Sequence, residues 1–199
     1  MAELRVEALT THHVGPLSFA VGPGECLCIA GASGSGKSLL LRALADLDSH
    51  GGRVLLDSQP AGSMAAPEWR RQVVLVFAES QWWAPRVGEH FARPPGAAEL
   101  AALGLPAEAL AWEVARCSTG ERQRLALLRA LTRSPRALLL DEPTGNLDEA
   151  ATLQVEALVA RYRAAHQAPV IWVSHDPQQA RRLGARRLRL EDGQLREAG

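Results

Sequence analysis

The eight residues Gly31-Ala32-Ser33-Gly34-Ser35-Gly36-Lys37-Ser38 constrain this chain more than any other stretch, because they satisfy G-x-x-x-x-G-K-[ST] at every fixed position. Such a loop cradles phosphate when a strand runs into it and a helix runs out of it. Both flanks fit: Glu25 to Ala30 is a short apolar run that reads as a buried strand, and Leu39 to Leu44 are strong helix formers. The glycines let the backbone turn its N–H groups onto a phosphate, and the helix adds the positive end of its dipole. Composition sharpens the point. Of 22 Lys and Arg residues, 21 are arginine, and the single lysine is Lys37. Arginine is a planar fork, whereas lysine is a compact point charge on a flexible stem, suited to reaching between phosphate oxygens.

A length of 199 residues is enough for one sizeable core, and no stretch suggests a second. The 22 acidic side chains balance the 22 basic ones, so there is no global electrostatic footprint for DNA or RNA, and no direct nucleic-acid partner is expected. No apolar run approaches the roughly 18 residues that span a bilayer, and the start Met1 to Arg5 lacks the build of a signal peptide. These features predict a soluble, cytoplasmic protein. Cys26, Cys28 and Cys117 are too few for a disulfide framework and read as small core hydrophobes.

Taken in order, Leu4 to Leu9 and Leu17 to Val21 alternate as strands and suggest an antiparallel flap beside the loop, with His12 and His13 at its tip. Arg53 to Asp57 reads as a further strand. Glu68 to Gln72 reads as a polar approach to Val73 to Phe77, a run without a polar member that suits a central strand covered on both faces. From Pro85 to Arg116 the composition turns to Ala, Leu and Glu, which predicts a helical insert with helices near 97–103 and 107–114. Ser118 and Glu121 form a capping box that opens a long helix to Leu131. Ala137 to Asp141 and Pro169 to Val173 are buried strands, Glu149 to Ala165 is an amphipathic helix, and Arg186 to Leu195 is a hairpin around Asp192-Gly193. Strands alternating with helices imply an α/β fold with a mainly parallel sheet.

Two of these strands end in functional side chains. Asp141 and Glu142 stand at the carboxyl end of a buried strand, where open α/β sheets place their ligands. Alone, an Asp-Glu pair is commonly a solvated turn. Beside a phosphate loop, Asp141 is placed to hold a magnesium ion together with the Ser38 hydroxyl, and Glu142 to orient and deprotonate a water. His175 ends the strand Pro169 to Val173 in the same way, where it can donate to a γ-phosphate; on its own it would read as a structural histidine.

With these in place the chain resembles the ATP-binding cassette (ABC) ATPases over essentially its whole length. The motifs arrive in family order: the phosphate loop, Cys117-Ser118-Thr119-Gly120-Glu121-Arg122-Gln123-Arg124 in the signature position, Leu140-Asp141-Glu142-Pro143-Thr144, Gly145-Asn146-Leu147-Asp148, then His175. The resemblance implies a P-loop NTPase, RecA-like core (1–78 and 133–199), the N-terminal β flap and a short helical subdomain (79–132) in a single domain over 1–199. It implies ATP and Mg2+ as ligands, with Lys37, Glu142 and His175 catalytic. It also implies a head-to-tail homodimer in which Ser118 and Gly120 of one copy, with Asp148 nearby, complete the site of the other. Coupled to a separate integral membrane transporter subunit, such a protein sits peripherally on the inner face of the cell membrane and hydrolyses ATP to power transport.

The sequence departs from the family pattern in places. Cys117, Thr119 and Glu121 replace three of the five usual signature residues. Ala78 stands where the family places a glutamine, with Glu79 or Gln81 as substitutes if the loop shifts, and His13 falls where an aromatic stacks on adenine. Trp82-Trp83 read as subdomain core, with a groove for a helix of the membrane subunit as the alternative. The run from Leu105 to Glu121 resembles the ATPases of small bacterial metal exporters. Two other classes stay open: a soluble ABC ATPase for cofactor assembly or nucleic-acid maintenance, and a weakly hydrolysing nucleotide-dependent regulator.

Overall fold

The computed structural model describes residues 2–198; Met1 and Gly199, which end the expected domain, lie outside the described residues. The alternating opening forms β1 (Leu4–Thr10) and β2 (Leu17–Val21), and the apolar run after them is β3 (Cys26–Ala30). β3 enters the phosphate loop and α1 (Lys37–Leu44) leaves it. β4 (Gly51–Leu56) and the two-residue β5 (Gln59–Pro60) turn back on β1, making an antiparallel sheet of order β2-β1-β4-β5.

α2 (Ala66–Gln72) leads into β6 (Val73–Val76). The middle of the chain holds α3 (Ala97–Ala101) and 3-10 turns at Val87–His90, Ala107–Ala111 and Val114–Arg116, followed by α4 (Thr119–Leu131). Then come β7 (Ala137–Asp141), α5 (Glu149–His166), β8 (Val170–Val173), α6 (Pro177–Arg182) and the hairpin β9 (Arg186–Glu191) and β10 (Gln194–Glu197). The second sheet runs β10-β9-β3-β8-β7-β6, parallel at every pairing except the β9-β10 hairpin.

Because side chains alternate along a strand, this sheet serves two cores. Leu139, Ile171 and Val173 face one of them, together with Leu40, Leu41 and Leu44 of α1 and the inward residues of β1. Leu138, Leu140, Val170 and Trp172 face the other, against Leu125 and Leu128 of α4 and Val155 and Val159 of α5. The α/β fold, its mainly parallel sheet and the antiparallel flap match the sequence reading.

Several expectations are corrected. β6 is an edge strand, not a central one. It is apolar because the layers above and below still cover much of it, while its free edge borders a groove lined by Ala126, Arg129, Ala130 and Trp83. Residues 68–72 belong to α2, whose signals were a proline in the first turn, Glu68 at the start and Arg70 and Arg71 at the end. Its Trp69 is fully buried and donates Nε1–H to the Leu44 carbonyl at 2.9 Å, tying α2 to the end of α1. Helix 97–103 shortens to Ala97–Ala101, and 107–114 shortens to the 3-10 turn Ala107–Ala111. The reading missed α6, although Asp176 caps it and Pro177 fills its first position.

Candidate active site

The loop between β3 and α1 owes its shape to glycine at two points. Gly34 (φ 78) and Gly36 (φ 100) lie in the left-handed region that side chains avoid, and a Cβ at Gly36 would collide with Val14 Cγ2. Val14 adjoins His13, so the flap tip is seated on the phosphate loop. The tip is also fastened to the β9-β10 turn, where Gly15 N–H donates to the Gly193 carbonyl at 2.8 Å. His12 and His13 themselves are exposed, with ring centroids 5.5 Å apart.

Lys37 is almost buried, and its Nζ donates to the carbonyls of Gly31 at 2.9 Å and Ala32 at 2.8 Å. Burial pulls its pKa below the ordinary lysine value, while Glu142 and Asp141 push it back up. Asp141 is buried at the end of β7. Burial raises its pKa and Glu142 adds to the rise, opposed by a hydrogen bond from Ser38 and by the Lys37 charge. The Ser38 hydroxyl and Asp141 carboxylate are thus in contact and offer only oxygen donors, a set that suits a hard divalent cation such as magnesium. Within the loop, Ser35 Oγ is buried with no hydrogen-bond partner among the described residues.

Glu142 adopts φ 46, a left-handed conformation that costs a non-glycine residue about 1–2 kcal/mol. Its backbone is held there from three sides. The N–H donates to the Val173 carbonyl at 3.2 Å, and the carbonyl accepts from Gly145 N–H at 3.1 Å and from Gln123 Nε2 at 2.8 Å. The carboxylate meets His175 Nε2 at 2.7 Å. Glu142 and His175 form one side of a cleft of about 230 Å³, and Ser33, Gly34, Gly36, Lys37, Ser38 and Leu39 form the other.

Other residues singled out in the sequence lie apart from that cleft. Ser118 caps α4, accepting from Glu121 N–H at 3.2 Å while Glu121 accepts from Ser118 N–H at 2.7 Å. Gly120 is packed against Leu147 and the Asn146 carbonyl. Neither Ser118 nor Gly120 lines the cleft. Asp148 caps α5 through a 2.8 Å bond from Ala151 N–H. Ala78, Glu79 and Gln81 line a separate polar cavity of about 560 Å³ with Thr119, Arg122 and Gln123. The tryptophan pair divides: Trp82 packs on the second core, while Trp83 is 66% exposed. Arg129 lies over both rings, at 4.7 and 4.9 Å. Sequence reasoning missed Gln123, a buried polar residue on the apolar side of α4, and that mismatch was the available signal.

Comparison with known proteins adds the following. The family model described as "ABC transporter" matches residues 14–145. The aliphatic sulfonates import ATP-binding protein SsuB 3 of Nocardia farcinica is 43% identical over 187 residues, covering 89% of this chain and 70% of that protein. Its counterpart SsuB 2 of Agrobacterium fabrum is 37% identical over 192 residues, covering 90% and 70%. A bacterial Atm1-family ABC exporter solved with ATP bound superposes with a TM-score of 0.81 at 25% identity, over 98% of this chain and 38% of that one. An ATP-binding cassette solved as a dimer in a post-hydrolysis state with ADP and Pi gives a TM-score of 0.84 at 22% identity, over 98% and 97%.

Proposed function

The chain belongs to the ABC transporter family, and from that premise we propose that it powers a membrane transporter by pairing two copies head to tail around ATP. Its reaction is hydrolysis of ATP to ADP and phosphate. The observation that carries the reading is the cleft itself: a phosphate loop faces a carboxylate and an imidazole that touch each other at 2.7 Å.

In this reading the loop N–H groups and the Lys37 ammonium take the β- and γ-phosphates, and Lys37 exchanges its two carbonyl partners for phosphate oxygens. Ser38 and Asp141 hold magnesium, which when bound neutralises phosphate charge. Glu142 Oε accepts a proton from the attacking water, and His175 keeps that carboxylate in place and faces the γ-phosphate. His13, on the tip fixed above the loop, offers a ring to adenine. The site is incomplete in one copy, since Ser118 and Gly120 open a second phosphate-facing helix start outside the cleft. A partner copy supplies them, with Asp148 beside the junction, and ATP becomes part of the interface.

The domain reading keeps the core at 1–78 and 133–199 and the helical subdomain at 79–132. Exposed Trp83 and the groove along β6 are the surface offered to the membrane subunit. Among the described residues no helix is long and apolar enough to cross a membrane. We assign the spanning part to another chain and this one to the inner membrane face. The relatives are named for import of aliphatic sulfonates, which favours inward transport over the exporter resemblance of residues 105–121.

The test is Glu142→Gln with ATP and magnesium on a sizing column with light scattering. A mass of twice the chain, reverting on nucleotide removal, supports the sandwich. A monomer at saturating ATP refutes it. Co-purification of an integral membrane protein from native membranes tests the transporter assignment, and recovery of only a soluble assembly would overturn it.

A further inference from the structure

The two side chains that meet across the cleft, Glu142 and His175, leave their strands on different turns, and one buried amide ties the Glu142 turn to the strand that leads into the His175 turn. Gln179 lies in α6, is 2% exposed, and has every polar atom of its side chain engaged. Its Oε1 accepts from Trp172 Nε1 at 3.0 Å. Its Nε2 donates to Thr144 Oγ1 at 3.0 Å and to Glu156 Oε1 at 2.9 Å. Trp172 is fully buried on β8, three residues before His175, and Thr144 follows Glu142 by two residues.

We infer that Gln179 is a positioning residue for ATP hydrolysis, an amide clamp that fixes the turn carrying Glu142 against the turn carrying His175. The inference rests on the roles proposed above for those two residues. The clamp has a firm base. Glu156, 6% exposed on α5, is gripped by Arg182 through Nε at 2.8 Å and Nη2 at 2.7 Å, and Arg182 Nη2 also reaches Asp176 Oδ2 at 3.3 Å. Asp176, next to His175, caps α6 through Gln178 N–H at 2.8 Å and donates its own N–H to Ser174 Oγ at 3.0 Å. The turn Ser174-His175-Asp176 is thereby pinned at both ends, and the amide connects it to the Glu142 turn.

The chemistry selects glutamine. One end of the side chain must accept from an indole, while the other must donate at once to a hydroxyl and to a carboxylate; among side chains of this length only an amide does both. A glutamate at 179 keeps the shape but sets a second carboxylate against Glu156 in a buried site, where like charges cannot both ionise. Interchanging the two groups does not restore the set, because an amide at 156 cannot accept both Arg182 bonds while donating to position 179.

The experiment measures kcat per nucleotide-binding site and KM for ATP in Gln179→Leu, Gln179→Glu and Thr144→Val, beside Glu142→Gln and His175→Ala. Displacing a reacting group by about 1 Å costs up to a hundredfold. Gln179→Leu and Gln179→Glu are therefore expected to lose about tenfold to a hundredfold in kcat with KM within about twofold of wild type. Thr144→Val, which removes a single hydroxyl at the half-exposed end, carries the test should the Gln179 variants fail to fold, and is expected to lose kcat in the same KM-neutral way. Unchanged kcat per site in Thr144→Val and Gln179→Leu, or a loss carried by KM, each overturns the clamp. Wild-type kcat in Glu142→Gln or His175→Ala would instead sink the reading of the site on which it rests.

Discussion

Replacing Lys37 with methionine should leave the nucleotide-free protein nearly as stable as before while removing most of its response to nucleotide. The ammonium is 7% exposed and is satisfied by two backbone carbonyls, with burial working against its charge. Methionine keeps the stem; the loss of two bonds to carbonyls is offset by removing a charge that burial disfavours, so the change without ligand should stay within about 1–2 kcal/mol. With ligand the balance differs. A charge-assisted bond to phosphate is worth about 2 kcal/mol, or roughly thirtyfold in affinity. At a concentration of MgADP a hundred times the wild-type Kd, binding stabilises the wild type by about 2.7 kcal/mol. The variant, at about three times its own weaker Kd, gains about 0.9 kcal/mol. For a chain of this length each kcal/mol moves Tm by about 2–4 °C, so the wild type should shift by about 5–11 °C and the variant by about 2–4 °C. Differential scanning fluorimetry reads both, and ADP avoids turnover during the scan. Equal ADP-dependent shifts in the two proteins would refute the phosphate contact, and a large loss of Tm without ligand would show that Lys37 is structural.

Burial holds Cys26 up to about 12 and Cys28 to about 11 from an ordinary 9.0, so above pH 9 the unfolded chain releases protons that the folded chain retains. Stability should be fully present below pH 9 and fall as pH rises toward 12, and Cys26→Ala should flatten the fall; urea midpoints across that range with an unchanged slope would contradict this. Trp69→Phe leaves the buried Leu44 carbonyl without its donor and should cost about 1–3 kcal/mol in urea unfolding, whereas a neutral result would mean water replaces the indole N–H. Ser118→Ala removes one half of a reciprocal cap and should cost about 1 kcal/mol. In a Glu142→Gln background it should also weaken the ATP-dependent dimer, and a full-strength dimer would remove Ser118 from the composite site. Trp83→Glu should leave thermal stability and ATP hydrolysis unchanged, since the ring is largely exposed, and abolish recovery of the membrane subunit; retained recovery would place the docking surface elsewhere.

Much of the core and the first contacts of the site are legible because their causes are local. A phosphate loop is written in consecutive residues, and its neighbours Asp141, Glu142 and His175 are found at once when apolar runs are followed to their polar ends. Ser118 declares itself by the reciprocal box with Glu121, and the hairpin by Asp192-Gly193. Strand order is a different matter. Val73 to Val76 has the composition of a central strand, yet it lies at the edge, because composition reports how well the faces are covered and says nothing about how many edges are paired. Short helices are hidden for a related reason. α2 and α6 have seven and six residues, too few for a 3.6-residue period to show, so only their caps and prolines announce them.

The buried amides are hidden more deeply, and they are what gives the cleft its geometry. Read by residue type alone, Gln123 and Gln179 are polar residues on helices and belong on solvated faces; in the structure they are 3% and 2% exposed. Each is buried with its amide N–H engaged: Gln123 with the Glu142 carbonyl, and Gln179 with the Thr144 hydroxyl and Glu156 carboxylate while its oxygen accepts from the Trp172 indole. Those partners are 19, 35, 23 and 7 residues away, so no local pattern can pair them. The side chains that line the cleft can be named from a strand end, but the angle at which they meet depends on these long-range amides. Glu142 shows why that matters. It is held in a left-handed conformation that the backbone would leave without outside support, and one of its three supports is the Gln123 amide. A Gln123→Leu substitution would therefore release the carboxylate from its contact with His175 while deleting nothing that touches ATP.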